Sequence, residues 1–173
     1  MKRLLSIIGA ISLIGTSTTS LVACKDKTHE YTPEELAKLK AENKINTKDQ
    51  NIKDNLEWMA PQEKPFNKVG NNKYYYIVWR GKKTDKWKLI KYKDLGLISI
   101  TLIDKTNNNS ELHRVSNDLQ TIADKEYSSW CTNFGFNNKD DGTHFKSVYR
   151  WNLDTAEPNL IVDDKGNVKV KGE

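Results

Sequence analysis

The order of apolar and polar positions divides the chain into three stretches. Leu4 to Ile14 is an apolar run diluted only by Ser6, Gly9, Ala10 and Ser12; Gly15 to Ser20 is then small and polar, and Leu21-Val22-Ala23-Cys24 closes the stretch. Residues 25–60 are rich in Lys, Glu, Asn and Asp, with isolated apolar positions. From residue 61 onward, short aromatic and β-branched runs recur between clusters of Gly, Asn and Asp, which is the spacing of strands and turns.

In the middle stretch, Thr32-Pro33-Glu34-Glu35 carries a capping box with proline at the first helical position, predicting a short helix near 33–43. Its apolar stripe is Leu36 and Leu39 alone, too narrow for much burial. Between Asn43 and Asn55 only two isoleucines interrupt the polar residues, a composition that does not offset the entropy of ordering. The expectation is a flexible polar tether over 24–60, with a reach of ~30–35 Å for about 35 residues of coil. The rival expectation is that Leu36, Leu39 and Ile45 dock on the domain.

The domain itself is expected over 61–173. Phe66–Val69 and Tyr74–Arg80 about Gly70-Asn71-Asn72 predict a hairpin, with further strands over 86–92 and 97–103, four in succession as an antiparallel meander. Glu111–Val115 is open between a returning strand and the lead into a helix. Leu119, Ile122, Ala123, Glu126, Tyr127 and Trp130 follow a 3.6-residue rhythm, predicting a helix over about 117–130. Residues 132–143 read as an irregular loop and Phe145–Trp151 as a strand. Residues 159–162 and 167–170 read as a terminal hairpin about Asp163-Asp164-Lys165-Gly166. The fold class is α+β: a small, mainly antiparallel β-sheet domain with one packed helix, preceded by a signal peptide and the tether.

The opening stretch has the parts of an export signal. Lys2 and Arg3 supply the positive n-region, and eleven mainly apolar residues the h-region. As a helix that run spans ~16 Å, about half of the hydrocarbon core. Leu21, Val22 and Ala23 stand before Cys24 as an aliphatic and a small residue stand before the modified cysteine in type II signals. Residues 1–24 resemble a bacterial lipoprotein signal throughout. The resemblance implies diacylglycerol transfer to the Cys24 sulfur, cleavage between Ala23 and Cys24, and a partner in membrane lipid. A thiolate is the side chain suited to that alkylation, and two acyl chains hold where one is marginal.

Composition narrows the picture further. The chain is heavy in Lys, Asn, Ile and Asp, as expected of an AT-rich genome. With Leu4-Leu5-Ser6-Ile7 and Thr19-Ser20-Leu21-Val22-Ala23-Cys24, and with Tyr74–Gly81 and Val148-Tyr149-Arg150-Trp151, it resembles mollicute surface lipoproteins, those of spiroplasmas above all. The net charge of +5 falls by two once Lys2 and Arg3 are removed, short of a dedicated nucleic-acid binder. With Cys24 lipidated, Cys131 is the other cysteine, so no internal disulfide is expected.

Candidate chemistry is sparse. Cys131, His144 and Asp140 or Asp141 have the residue types of a thiol nucleophile with its base, but no oxyanion feature surrounds the cysteine. The expectation is that the chain is not an enzyme. His29, His113 and His144 are scattered, and no cofactor or metal site is read from them. The richest cluster is the 74–92 hairpin, where Trp79 and Trp87 lie among Arg80, Lys82 and Lys83. Aromatic faces beside cations suit a glycan, a nucleic acid or an acidic host surface. Alternation argues instead for one buried aromatic face and one solvated lysine face.

The expected role is a membrane-anchored lipoprotein at the extracellular face of the cell, displaying its domain to host or cell-surface partners. The alternative is an accessory ligand-binding subunit of a membrane transporter, or an adhesin acting through the hairpin.

Overall fold

Local capping chemistry sets the first elements. In the computed structural model, which describes residues 30–67, 69–96, 100–122, 133–136, 140, 142–154 and 156–173, helix α1 spans Pro33–Glu42. Thr32 Oγ1 accepts from the Glu35 amide at 3.3 Å, and the Glu35 carboxylate accepts from the Thr32 amide at 2.9 Å, so two orphan donors are satisfied reciprocally. The helix stops at Asn43, whose side-chain amide donates to Leu39 O. A shorter helix, α2 (Gln50–Asn55), begins at Asp49, which accepts from the Ile52 amide at 3.1 Å.

Ten strands follow. They are β1 (Leu56–Trp58), β2 (Tyr74–Trp79), β3 (Lys88–Lys93), β4 (Ile100–Lys105), β5 (Glu111–Val115), β6 (Asp118–Ile122), β7 (Asn133–Gly135), β8 (Phe145–Trp151), β9 (Leu160–Val162) and β10 (Val168–Val170). The first sheet has the order β1-β8-β2-β3 and the second β4-β5-β6-β7, while β9 and β10 form the expected terminal hairpin. Every pairing is antiparallel.

β2 is the centre of the molecule. Successive side chains of a strand point to opposite faces, yet Tyr75, Tyr76, Ile77, Val78 and Trp79 are all at most 2% exposed. Tyr75, Ile77 and Trp79 enter a core shared with Leu112, Leu119 and Phe145. Tyr76 and Val78 enter another shared with Ile45, Ile52, Trp58 and Trp151. The first sheet is thus a middle layer: α1, α2 and the terminal hairpin cover one face, and the second sheet covers the other. A strand buried on both sides reads as an unbroken apolar run, and Tyr-Tyr-Tyr-Ile-Val-Trp is one.

The mainly antiparallel α+β class therefore stands, but its parts are redistributed. Residues 118–122 of the predicted 117–130 helix form strand β6; positions 123–130 lie outside the described residues. Ser116 takes a left-handed φ of 57°, and Val115 pairs with Asp118 across the two-residue turn, so the chain reverses before a helix can start. Leu119 and Thr121 then point inward together, both fully buried. The packed helix is α1 instead, with Leu36 and Leu39 against the core.

The four-strand meander also fails. Phe66 lies in a loop, and β3 and β4 belong to different sheets. Asp94-Leu95-Gly96 turns the chain away, with Gly96 at φ +77°; a Cβ there would lie 2.1 Å from Val69 O, so the two loops close against each other backbone to backbone. β8, from much later in the chain, takes the place between β1 and β2. The loop expected over 132–143 contains β7, followed by the buried Phe136.

The tether expected over 24–60 is not what its described part forms. Ile45, Ile52, Leu56, Trp58 and Met59 are all buried, and Thr47 Oγ1 donates to Glu173 at 2.9 Å. The two isolated isoleucines fill places that Leu160 and Val168 help to build, a contribution invisible to local composition. The rival expectation, docking through Leu36, Leu39 and Ile45, matches this arrangement.

Candidate functional site

Leu21, Val22, Ala23 and Cys24 lie outside the described residues, as does Cys131. Among the described residues, no helix is long and apolar enough to cross a membrane.

The hairpin cluster can be rebuilt from its side chains. Trp79 is fully buried, and its indole Nε1 donates to Asp104 Oδ2 at 3.0 Å, so it faces the interior and offers no ring to an external ligand. Lys88 donates to the same carboxylate at 2.5 Å. Arg80 and Trp87 do come together: the guanidinium carbon lies 4.2 Å from the ring centroid, and Arg80 Nε donates to Thr143 O at 2.6 Å. A Cβ on Gly166 would lie 3.0 Å from Trp87 Cδ1. Trp87 is therefore packed against both the Arg80 guanidinium and the Gly166 backbone.

The connecting turn is held rigidly. The Lys82 amide donates to Asp85 Oδ2 at 2.9 Å, and Asn108 Nδ2 donates to both Asp85 oxygens. Gly81 packs so closely on Ser110 that a Cβ would lie 2.5 Å from the serine Cβ. Lys83 and Lys86 are exposed at the tip. What remains of the cluster is a pinned, lysine-bearing turn with the Arg80–Trp87 stack at its base, able to attract an anion by charge.

The other lysines of β3 are occupied. Lys91 donates to Glu157 at 2.5 Å, and Lys91 and Lys93 both lie 5.2 Å from the centroid of the Tyr74 ring. Lys73 pairs with Asp154 at 2.7 Å.

Asp140 does not orient the His144 ring. Its carboxylate accepts the backbone amides of His144 at 2.9 Å, Phe145 at 3.0 Å and Gly142 at 3.1 Å. Burial pushes its carboxyl above the ordinary range, against those hydrogen bonds. His144 Nδ1 lies 3.4 Å from Arg80 O. This aspartate shapes the turn into β8. Asp163 does the same for the terminal hairpin, accepting the amides of Lys165 and Asn167, which hold its carboxyl down at about 2. Among the described residues, no group of three or more His, Cys, Asp or Glu is placed to hold a metal.

Two charge constellations carry no sequence signal. One is the buried Arg114–Asp94 pair. The other joins Lys40 of α1 to Glu57 and Glu63 at 2.5 and 2.6 Å, with Arg150 reaching Glu57 at 2.6 Å. Both link residues far apart in the chain, and only the sheet register brings them together.

No family model, no curated protein and no solved structure matches this chain.

Proposed function

We propose that the chain is a surface lipoprotein, anchored in the cell membrane through acylated Cys24 and displaying its α+β domain at the extracellular face as a non-enzymatic interaction module. One observation carries this: a basic n-region, an eleven-residue apolar run and Leu21-Val22-Ala23-Cys24 follow one another in the order and spacing that lipid modification requires. The attached acyl chains contribute ~0.8 kcal/mol per buried methylene, which suffices for stable attachment when two are present.

Cys24→Ser tests the reading. The wild-type protein is expected in the detergent phase, cleaved before residue 24 and carrying acyl mass on that residue; the serine variant is expected to be unprocessed and unacylated. If both forms have the same mass and the same partition, the anchor is refuted.

A second reading is adhesion to an acidic glycan or surface. The Arg80–Trp87 stack beside Lys82 and Lys83 favours it, now confined to the 80–87 turn. Lys83→Glu with Lys86→Glu should abolish such adhesion with little change in stability, because both residues are exposed at the tip. Unchanged adhesion removes this reading.

A further inference from the structure

We infer that the domain is held close against its own membrane, with its α1 side toward the lipid and the outer face of the second sheet turned away. This rests on the anchor at Cys24 proposed above.

Tyr31 already belongs to the packed unit. The Tyr31 amide donates to Gln62 Oε1 at 2.7 Å, and Gln62 Nε2 donates back to Tyr31 O at 3.3 Å. Lys40 bridges Glu57 and Glu63, and the Tyr149 hydroxyl donates to Asn43 O at 3.3 Å. Leu36 and Leu39 pack on the core beneath. Only seven steps of chain separate Cys24 from Tyr31, and however they are arranged they span at most ~25 Å.

That leash is no longer than the domain is thick, since three stacked layers lie ~10 Å apart with side chains outside them. The edge carrying Tyr31 must therefore stay near the headgroups. α1 belongs to the layer on one face of the first sheet, and the second sheet covers the opposite face. On β4, Leu102 pairs with His113 and Ile100 with Val115, whereas Leu112 of β5 points inward to the core. Ile100 and Leu102, 60% and 53% exposed, thus lie on the outer surface of the far layer, the one presented to the medium.

Charge does not impose this posture. The exposed face of α1 mixes Glu34, Glu35 and Glu42 with Lys38, so attraction to anionic lipid is weak and the short leash does the orienting. The orientation should then persist at high salt, where surface electrostatics are screened.

The test uses the mature, lipidated full chain in phosphatidylcholine–phosphatidylglycerol vesicles containing a headgroup-labelled acceptor lipid. Donor dyes are placed at Lys38→Cys or Leu102→Cys in a Cys131→Ser background, both being exposed sites. Energy transfer should be clearly stronger from position 38 than from 102, at low and high salt alike. Inserting about 20 Gly and Ser residues between Glu30 and Tyr31 adds ~25 Å of reach and should abolish the difference. Equal transfer from 38 and 102 on acylated protein overturns the inference while leaving the anchor intact. An unmodified Cys24 by mass spectrometry overturns both.

Discussion

Arg114 and Asp94 approach to 3.4 Å with 1% and 0% of their side chains exposed, an ion pair enclosed between the two sheets. Arg114 also donates to Gly96 O at 2.9 Å and Asn67 O at 2.7 Å, and lies over the Phe66 ring. Asp94 in turn accepts the amides of Asn71 and Gly96. One guanidinium thus fastens the loop after β3 and the loop before β2 to strand β5.

Removing the cation would leave a buried carboxylate without its partner. Arg114→Ala should cost about 3–5 kcal/mol, the range for breaking a buried pair from one side. Urea unfolding followed by tryptophan fluorescence measures it. A loss below about 1 kcal/mol would class the pair with solvent-exposed bridges and contradict its role as the sheet-to-sheet fastening.

The close approach of Gly96 to the Val69 carbonyl makes a second prediction. Gly96→Ala places a Cβ against the Val69 carbonyl at a left-handed φ, so backbone must move, and a cost of about 1–3 kcal/mol is expected. Gly172→Ala is the control: its φ is +100° but nothing lies within 4 Å of the added atom. It should be the milder change, and equal effects in thermal unfolding would refute the packing argument.

Burial of the 45–60 segment is checked by Ile52→Ala. Ile52 is 7% exposed within the core, so truncation should cost about 2–4 kcal/mol. A flexible tether would register no change in the denaturation midpoint.

Docking of α1 should depend on pH through Glu57 and Lys40. Burial acts to raise the Glu57 carboxyl, but hydrogen bonds from Lys40 and Asn152 and the Arg150 charge prevail and hold it below its usual 4.5. Burial likewise acts to lower Lys40, yet hydrogen bonds and charge from Glu57 and Glu63 prevail and raise it above 10.5. The stability from Glu57 is present above its unfolded value and lost as pH falls through the depressed one; that from Lys40 is present below 10.5 and lost as pH rises through the raised one. Hydrogen exchange, corrected for intrinsic rates, should show α1 amides losing protection under acid conditions before those of β2. Simultaneous loss in both elements would contradict a local clamp.

Legibility followed the range of the interactions. The capping box at Thr32, the terminal hairpin about Asp163 and strand β8 were readable, because a few neighbouring residues fix each. Of the hairpin's aromatic and basic residues, Arg80 and Trp87 do meet. Trp79 could meet a ligand only on an open aromatic face; the alternation argues for a buried one, and the core beneath the second sheet encloses it. The 117–130 helix misled because Leu119 and Ile122 fit a helical period, whereas the left-handed Ser116 decides the reversal.

The sequence by itself determined the capped first helix, the aromatic central strand and the antiparallel character, since each depends on composition or period within a few residues. Only the tertiary structure decided that β8 enters between β1 and β2, that a second sheet covers β2, and that Ile45 and Ile52 are core. Those outcomes depend on which distant segments supply the other half of each buried surface. The free energy of burying a side chain belongs to the pair of surfaces that meet, and local pattern describes one of them.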